Sequence, residues 1–144
     1  MADFEELFDM KLIQKKLIDA SLFLMAYEPL KASIVDGVKD FFIDGINKEG
    51  FTYSDSYRSK VLPRANHVFE ASLIWLLEVD AISEDDKLKI QELRDYRNSI
   101  AHDIPTTIYD PSQSIDLTKL ELAGLYLNKI DNFWVRWRSI PILT

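Results

Sequence analysis

The sequence predicts an all-α fold, a bundle of four or five helices. Three observations lead there. Apolar residues recur at helical spacing nearly throughout. Glycine (4) and proline (5) are scarce in 144 residues, which favours long elements and few turns. No convincing strand pair is visible.

The first helix is expected from about Asp3 to Glu28. Leu7, Met10, Leu12, Ile13, Leu17, Ile18, Phe23 and Leu24 form a wide stripe there, expected to be buried. Pro29 suits the first turn of a second helix, near Leu30 to Asp44. Gly45 and Gly50 mark a break, and "GFTYSDSYRS" reads as a polar, aromatic loop. Pro63 opens a third helix, about Arg64 to Val79. Ser83 is a good N-cap for a fourth, and Glu84, Asp85 and Asp86 crowd its first turn, where the helix dipole favours negative charge. That helix is expected to end near Ala101, because Pro105 disfavours helical geometry in the residue before it. "DIPTTIYDPSQS" then reads as a loop. A last helix, about Leu117 to Arg138, is apolar on more than one face and needs cover on several sides; a second copy of the chain is one such cover.

No repeat, low-complexity tract or linker divides the chain, so residues 1–144 read as one helical domain. A chain of this length buries roughly two-thirds of its unfolded surface. There is no cysteine, which excludes disulfides and thiolate metal sites and fits a reducing cytoplasm. The only histidines are His67 and His102, too few for a multi-histidine metal centre, and no cofactor is expected. The acidic start "MADFEELFDM" is unlike a secretory signal. The longest apolar run, near "ASLIWLLEV", falls short of the roughly 18 residues a membrane span needs. A soluble, cytoplasmic protein without a membrane partner is expected. The net charge of −7 argues against broad nonspecific nucleic-acid binding, so any such site must be a local basic concentration.

The informative stretch is "ELRDYRNSIAHDIP", Glu92 to Pro105. Asp86, Ile90, Leu93, Arg97 and Ile100 follow the alternating four-and-three spacing of a packed helical seam. Arg97 is the anomaly. A guanidinium on a seam must be paired or must border water or a ligand, since an unpaired buried charge costs several kcal/mol. His102 follows five residues later. In a regular helix that is about 500°, which leaves the two side chains about 140° apart. They converge either because the helix ends near Ala101, or across a two-fold axis. Their chemistry is complementary: imidazole takes and returns protons near neutral pH, and guanidinium presents a permanent fork of donors to phosphate. Together they can drive attack of a ribose 2′-hydroxyl on its own phosphate, without a metal.

"RNSIAH", Arg97 to His102, resembles the R-x4–6-H signature of the HEPN superfamily, in which a polar residue such as Asn98 often follows the arginine. The placement of the motif late in a small helical domain is also similar. The resemblance implies a compact helical bundle, usually a homodimer, with a composite site at the dimer interface and metal-independent cleavage of RNA through the 2′-hydroxyl. Many members act as toxins or in defence against phage, some under the control of an antitoxin protein. Carried over by position, Arg97 is the phosphate-binding and transition-state arginine, His102 the general acid/base and Asn98 a polar supporting residue. In one branch the pattern extends to R-x4-H-x-Y with a modified tyrosine; Ile104 stands there in this chain, and Tyr109 is misplaced for it.

Other features carry plainer alternatives. "YRSKVLPR" supplies Arg58, Lys60 and Arg64, the candidate RNA-guiding patch, against the alternative of a solvated loop. His67, with Glu70 three residues on, reads as structural or dimer-lining because further metal ligands are missing. "FWVRWRS" can stack bases, but Trp134 and Trp137 continue an apolar stripe, so a core face ending in solvated arginines is preferred. Asp95 and Tyr96 fall on a different face from Arg97. The rival to a nuclease is a non-catalytic helical interaction module in which Arg97 pairs with an acid and His102 merely ends a helix.

Overall fold

The computed structural model describes residues 4–110 and 112–139. It is mainly helical: α1 (Phe4–Phe41), a hairpin of β1 (Ile43–Asn47) and β2 (Gly50–Tyr53), α2 (Asp55–Lys60), a 3-10 turn (Leu62–Arg64), α3 (Val68–Glu78), α4 (Glu84–Tyr109) and α5 (Leu117–Ser139). Asp3, the expected start of the first helix, and the side chain of Leu7 lie outside the described residues.

The two helices expected on either side of Pro29 are one helix of 38 residues. Proline costs a helix interior roughly 3 kcal/mol, through a lost hydrogen bond and a clash with the carbonyl four residues back. Against that stands an unbroken buried stripe: Phe23, Tyr27, Leu30, Ile34 and Val38. Each such side chain contributes on the order of 1.5–3 kcal/mol when buried, so the stripe outweighs the proline several times over. Pro29 itself faces solvent. α3, α4 and α5 all pack on α1.

The expected N-terminal stripe needs correction. The face of α1 that enters the core carries Lys16, Asp19, Ala20, Phe23 and Tyr27. Met10, Leu17, Ile18, Leu22 and Met25 lie on the opposite side and are exposed, Met25 to 70%. No described element covers them.

Where a loop and no strands were expected, the chain forms an antiparallel hairpin in which Asn47 pairs with Gly50 across a two-residue turn. Gly50 has φ +121°, a conformation L side chains resist, and the Asn47 side-chain oxygen accepts from the Glu49 amide at 2.8 Å. A register shift between Ile43 and Gly45 breaks the alternation that would have announced the strands. The third helix likewise starts later than expected. Pro63 belongs to the 3-10 turn, Ala65 is extended, and α3 begins after His67.

Ser83 caps α4 as expected. Its hydroxyl accepts from the Asp86 amide (3.1 Å), and its own amide donates to Asp86 Oδ2 (2.9 Å), a reciprocal capping box. The Lys129 ammonium of α5 donates to the same carboxylate. α4 does not end near Ala101. It kinks at Asp103 (φ −106°, ψ 18°), two residues before Pro105, and continues to Tyr109. Half-buried Ile104 and buried Ile108 keep the core stripe going past the proline. Lys16, only 3% exposed, closes the far end by donating to the Thr107 (3.0 Å) and Asp110 carbonyls.

α5 spans the expected segment, with Ala123, Tyr126, Ile130 and Trp134 inward. Leu125 and Val135 are exposed. α1 and α5 approach closely at Gly37, where a Cβ would collide with the Trp134 indole. The indole N–H donates to the Ser33 carbonyl at 2.8 Å, so the contact is both tight and hydrogen-bonded. Phe41, Trp75 and Trp137 extend this aromatic cluster.

Burial raises the Asp86 pKa, but the Lys129 and Ser83 hydrogen bonds outweigh it, and the net shift is downward. A lowered folded value stabilises the protein above the unfolded value, about 3.9, and that contribution disappears as pH falls through the folded value. Asp86→Ala is therefore expected to cost about 1–2 kcal/mol near pH 7 and several degrees of melting temperature. Thermal unfolding of parent and variant should converge as pH is lowered from 6 toward 3. A pH-independent gap would show that the carboxylate charge is not the cause.

Candidate functional site

α4 places Ile90, Leu93 and Ile100 in the core and Asp86 at its buried start, as the seam spacing requires. Arg97 shares the seam, yet its side chain keeps 36% exposure. It lies at the rim where α4 meets α1 beside Tyr27 and Glu28. Its Nε stands 3.5 Å from Glu28 Oε1, and Nη1 donates to Asn98 Oδ1 at 3.5 Å. Both contacts are at the long limit. Glu28 is half exposed, so this pair contributes at most about 1 kcal/mol.

Arg97 and Asn98 open onto a cleft of about 140 Å³, whose other walls are Tyr27 and Lys31 of α1, Phe69 of α3 and Arg94 of α4. Arg94 is held firmly: it binds Glu70 at 2.6 Å, reaches Asp95 at 3.5 Å and lies over the Phe69 ring at 5.6 Å. Gln91 also donates to Glu70, at 2.8 and 3.1 Å. Burial pushes the Tyr27 pKa up to about 12, against the opposing pull of Arg94 and Arg97, so the phenol stays protonated. Tyr27, Lys31, Phe69 and Arg94 were missed in the sequence. Only Arg94 left a signal there, three residues before Arg97 and thus on a neighbouring part of the helix surface.

His102 is exposed on the same helix. The kink falls at Asp103, after the histidine, so the helix stays regular from Arg97 to His102. Convergence by an early helix end is thereby corrected, and the two side chains project about 140° apart. Asn98 is one turn before His102, and Arg94 one turn before Asn98, so these three form a row along the flank of α4. Asn98 stands between the arginine it touches and the histidine one turn on. His102 makes no hydrogen bond or ion pair among the described residues.

The basic trio sits elsewhere. Arg58 and Lys60 are exposed on α2, while Arg64 pairs with Glu78 and donates to the Lys60 carbonyl. Tyr57 anchors α2 on Phe42, just past the end of α1. From Tyr27 to Phe42 is roughly 22 Å at the helical rise, so the trio is separate from the Arg97 cleft.

His67 precedes α3 and is exposed, whereas Glu70 is turned to Arg94 and Gln91. No group of three His, Cys, Asp or Glu among the described residues is placed to hold a metal ion. Trp134 is core, Trp137 packs on Phe41 at the partly exposed edge of the same cluster, and Arg136 and Arg138 face outward. Tyr96 points away from Arg97, packs on Phe23 at 5.0 Å, and accepts from the Asp116 amide at 2.7 Å, tying down the segment before α5. No described helix is long and apolar enough to cross a membrane. Comparisons with protein-family models, with curated proteins and with solved structures give no match.

If the Glu28 contact is as loose as its geometry indicates, Glu28→Gln changes stability by less than about 1 kcal/mol in urea unfolding. A loss of several kcal/mol would identify a locked structural pair and remove Arg97 as a ligand-facing group.

Proposed function

We propose that the chain is a metal-independent endoribonuclease of the HEPN type, acting as a cytoplasmic homodimer in toxin or phage-defence biology, with an antitoxin protein as its class of partner. The observation that carries this reading is Arg97: a permanent charge on a core seam that opens into a cleft, with Asn98 beside it and only a long contact to one carboxylate. His102 supplies the proton transfers. The second copy's imidazole takes the 2′-hydroxyl proton as that oxygen attacks phosphorus. Arg97 stabilises the charge gathering on the phosphoryl oxygens. The bond from phosphorus to the 5′-oxygen breaks, and the imidazolium returns its proton to that departing oxygen, which leaves a 2′,3′-cyclic phosphate. Asn98 fixes the arginine fork.

The two-fold arrangement has its own support. Arg97 and His102 diverge within one copy, so a phosphate that meets both requires two copies. The exposed face of α1 bearing Met10, Leu17, Ile18, Leu22 and Met25 is the surface proposed for pairing. Such a stripe is unusual on a lone soluble domain. It runs to within one turn of Glu28, and so to the edge of the Arg97 cleft. Arg58 and Lys60 are assigned to guiding the RNA outside the reacting centre, with Arg64 held back by Glu78.

The Glu28 contact and the charge of −7 favour a second reading, a non-catalytic helical interaction module. Incubation of the purified protein with RNA in excess chelator separates them: the nuclease yields 2′,3′-cyclic ends and the module yields none. Arg97→Ala and His102→Ala are each expected to reduce cleavage by at least about a hundredfold with fold and dimer intact. Undiminished activity in His102→Ala would end this mechanism.

Ile18→Glu combined with Leu22→Glu is expected to convert a dimer to a monomer in sedimentation and to reduce cleavage in parallel, with helicity unchanged. A dimer that survives both substitutions would place the interface elsewhere.

A further inference from the structure

The proposed mechanism uses Arg97 and Asn98 and leaves two walls of their cleft without a task. Tyr27 is 2% exposed, and its hydroxyl makes no hydrogen bond with any described residue. No fully buried side-chain polar atom among the described residues lacks a partner, so this hydroxyl keeps some exposure, and Tyr27 lines the cleft. A buried phenol is normally paired. This one is an available donor, and its raised pKa keeps the proton on it at neutral pH.

Lys31 is one helical turn beyond Tyr27 on α1, lines the same cleft and makes no ion pair among the described residues. Arg97 completes the set from α4, with its one long contact to Glu28. Arg94 does not compete for a ligand, because Glu70 at 2.6 Å already satisfies it. The cleft thus presents a phenol, an ammonium and a guanidinium, all donors. Glu28 is half exposed and touches the set only through its 3.5 Å contact with Arg97. The cleft, about 140 Å³ and open to solvent, has room for a phosphate group.

We propose that Tyr27 and Lys31 form, with Arg97, a phosphate subsite contained in one protomer, which grips an RNA backbone phosphate at the reacting centre. The inference rests on the ribonuclease reading for the identity of the ligand. The donors that hold the phosphate come from α1 and α4 of one copy. What a second copy contributes is the proton transfer, and phosphate binding does not depend on the chemistry.

The test titrates the full chain with inorganic phosphate at fixed ionic strength and follows backbone amide shifts. Saturable changes at Lys31 and Asn98 are expected. Tyr27→Phe and Lys31→Met each weaken binding about tenfold, the scale of one lost charge-assisted hydrogen bond. Lys48→Met, at the hairpin turn, leaves it unchanged. In the cleavage assay the same two substitutions raise KM for an RNA oligonucleotide more than they lower kcat. Absence of saturable binding, or binding and KM indifferent to both substitutions, overturns the subsite. Failure of the nuclease reading looks different: phosphate binds and the variants weaken it, but no RNA is cut.

Discussion

The molecule depends on one continuous contact line, the buried stripe of α1 from Phe23 through Tyr27, Leu30 and Ile34 to Val38. Three helices dock on it, and it is strong enough to carry the helix through Pro29. At one end Gly37 admits the Trp134 ring to the backbone. Toward the other end buried Lys16 binds the terminal carbonyls of α4. α4 is therefore fixed against α1 along its length, and the level at which Arg97 meets Tyr27 and Glu28 is set by core packing. A site built on two such helices is held more exactly than one built on loops.

The electrostatics of the cleft turn on magnitude. An arginine sealed into a core without a partner costs several kcal/mol, and one locked to a buried carboxylate is unavailable. Arg97 is neither. Partial exposure limits the cost, and a 3.5 Å contact with a half-exposed glutamate limits the attachment. Arg94, three residues earlier, shows the other outcome: 2.6 Å from Glu70, over an aromatic ring, it is a structural cation. Two arginines one turn apart thus divide into one that holds the wall and one that can meet an anion.

Much of this was legible and some was not, for physical reasons. The N-cap at Ser83, the seam of α4 and the extent of α5 follow from local rules that tertiary packing reinforces. Pro29 and Pro105 misled because the rules for proline are local, whereas the stripes of α1 and α4 are supported by burial across the whole bundle. The hairpin was hidden by its shortness and its register shift. At the site, Arg97 announced itself as a charge among seam positions. Tyr27 and Lys31 could not, because an aromatic and a lysine on a long helix have nothing unusual about them until α4 lies against them.

The regular helix between Arg97 and His102 constrains any mechanism that uses both. Pro105 bends α4, but the bend is taken up at Asp103, one residue too late to swing the histidine toward the arginine. Burial of Ile104 and Ile108 and the Lys16 contacts hold the segment beyond the bend. Within one copy the two groups therefore serve different directions, the arginine inward to the cleft and the histidine outward to solvent. A mechanism that brings them to one phosphate must recruit the histidine from a second chain. The exposed face of α1 supplies an apolar surface near that cleft on which such a chain can sit. Under the proposed mechanism the labour is divided in the same way, with charge and grip assigned to one protomer and proton transfer to its partner.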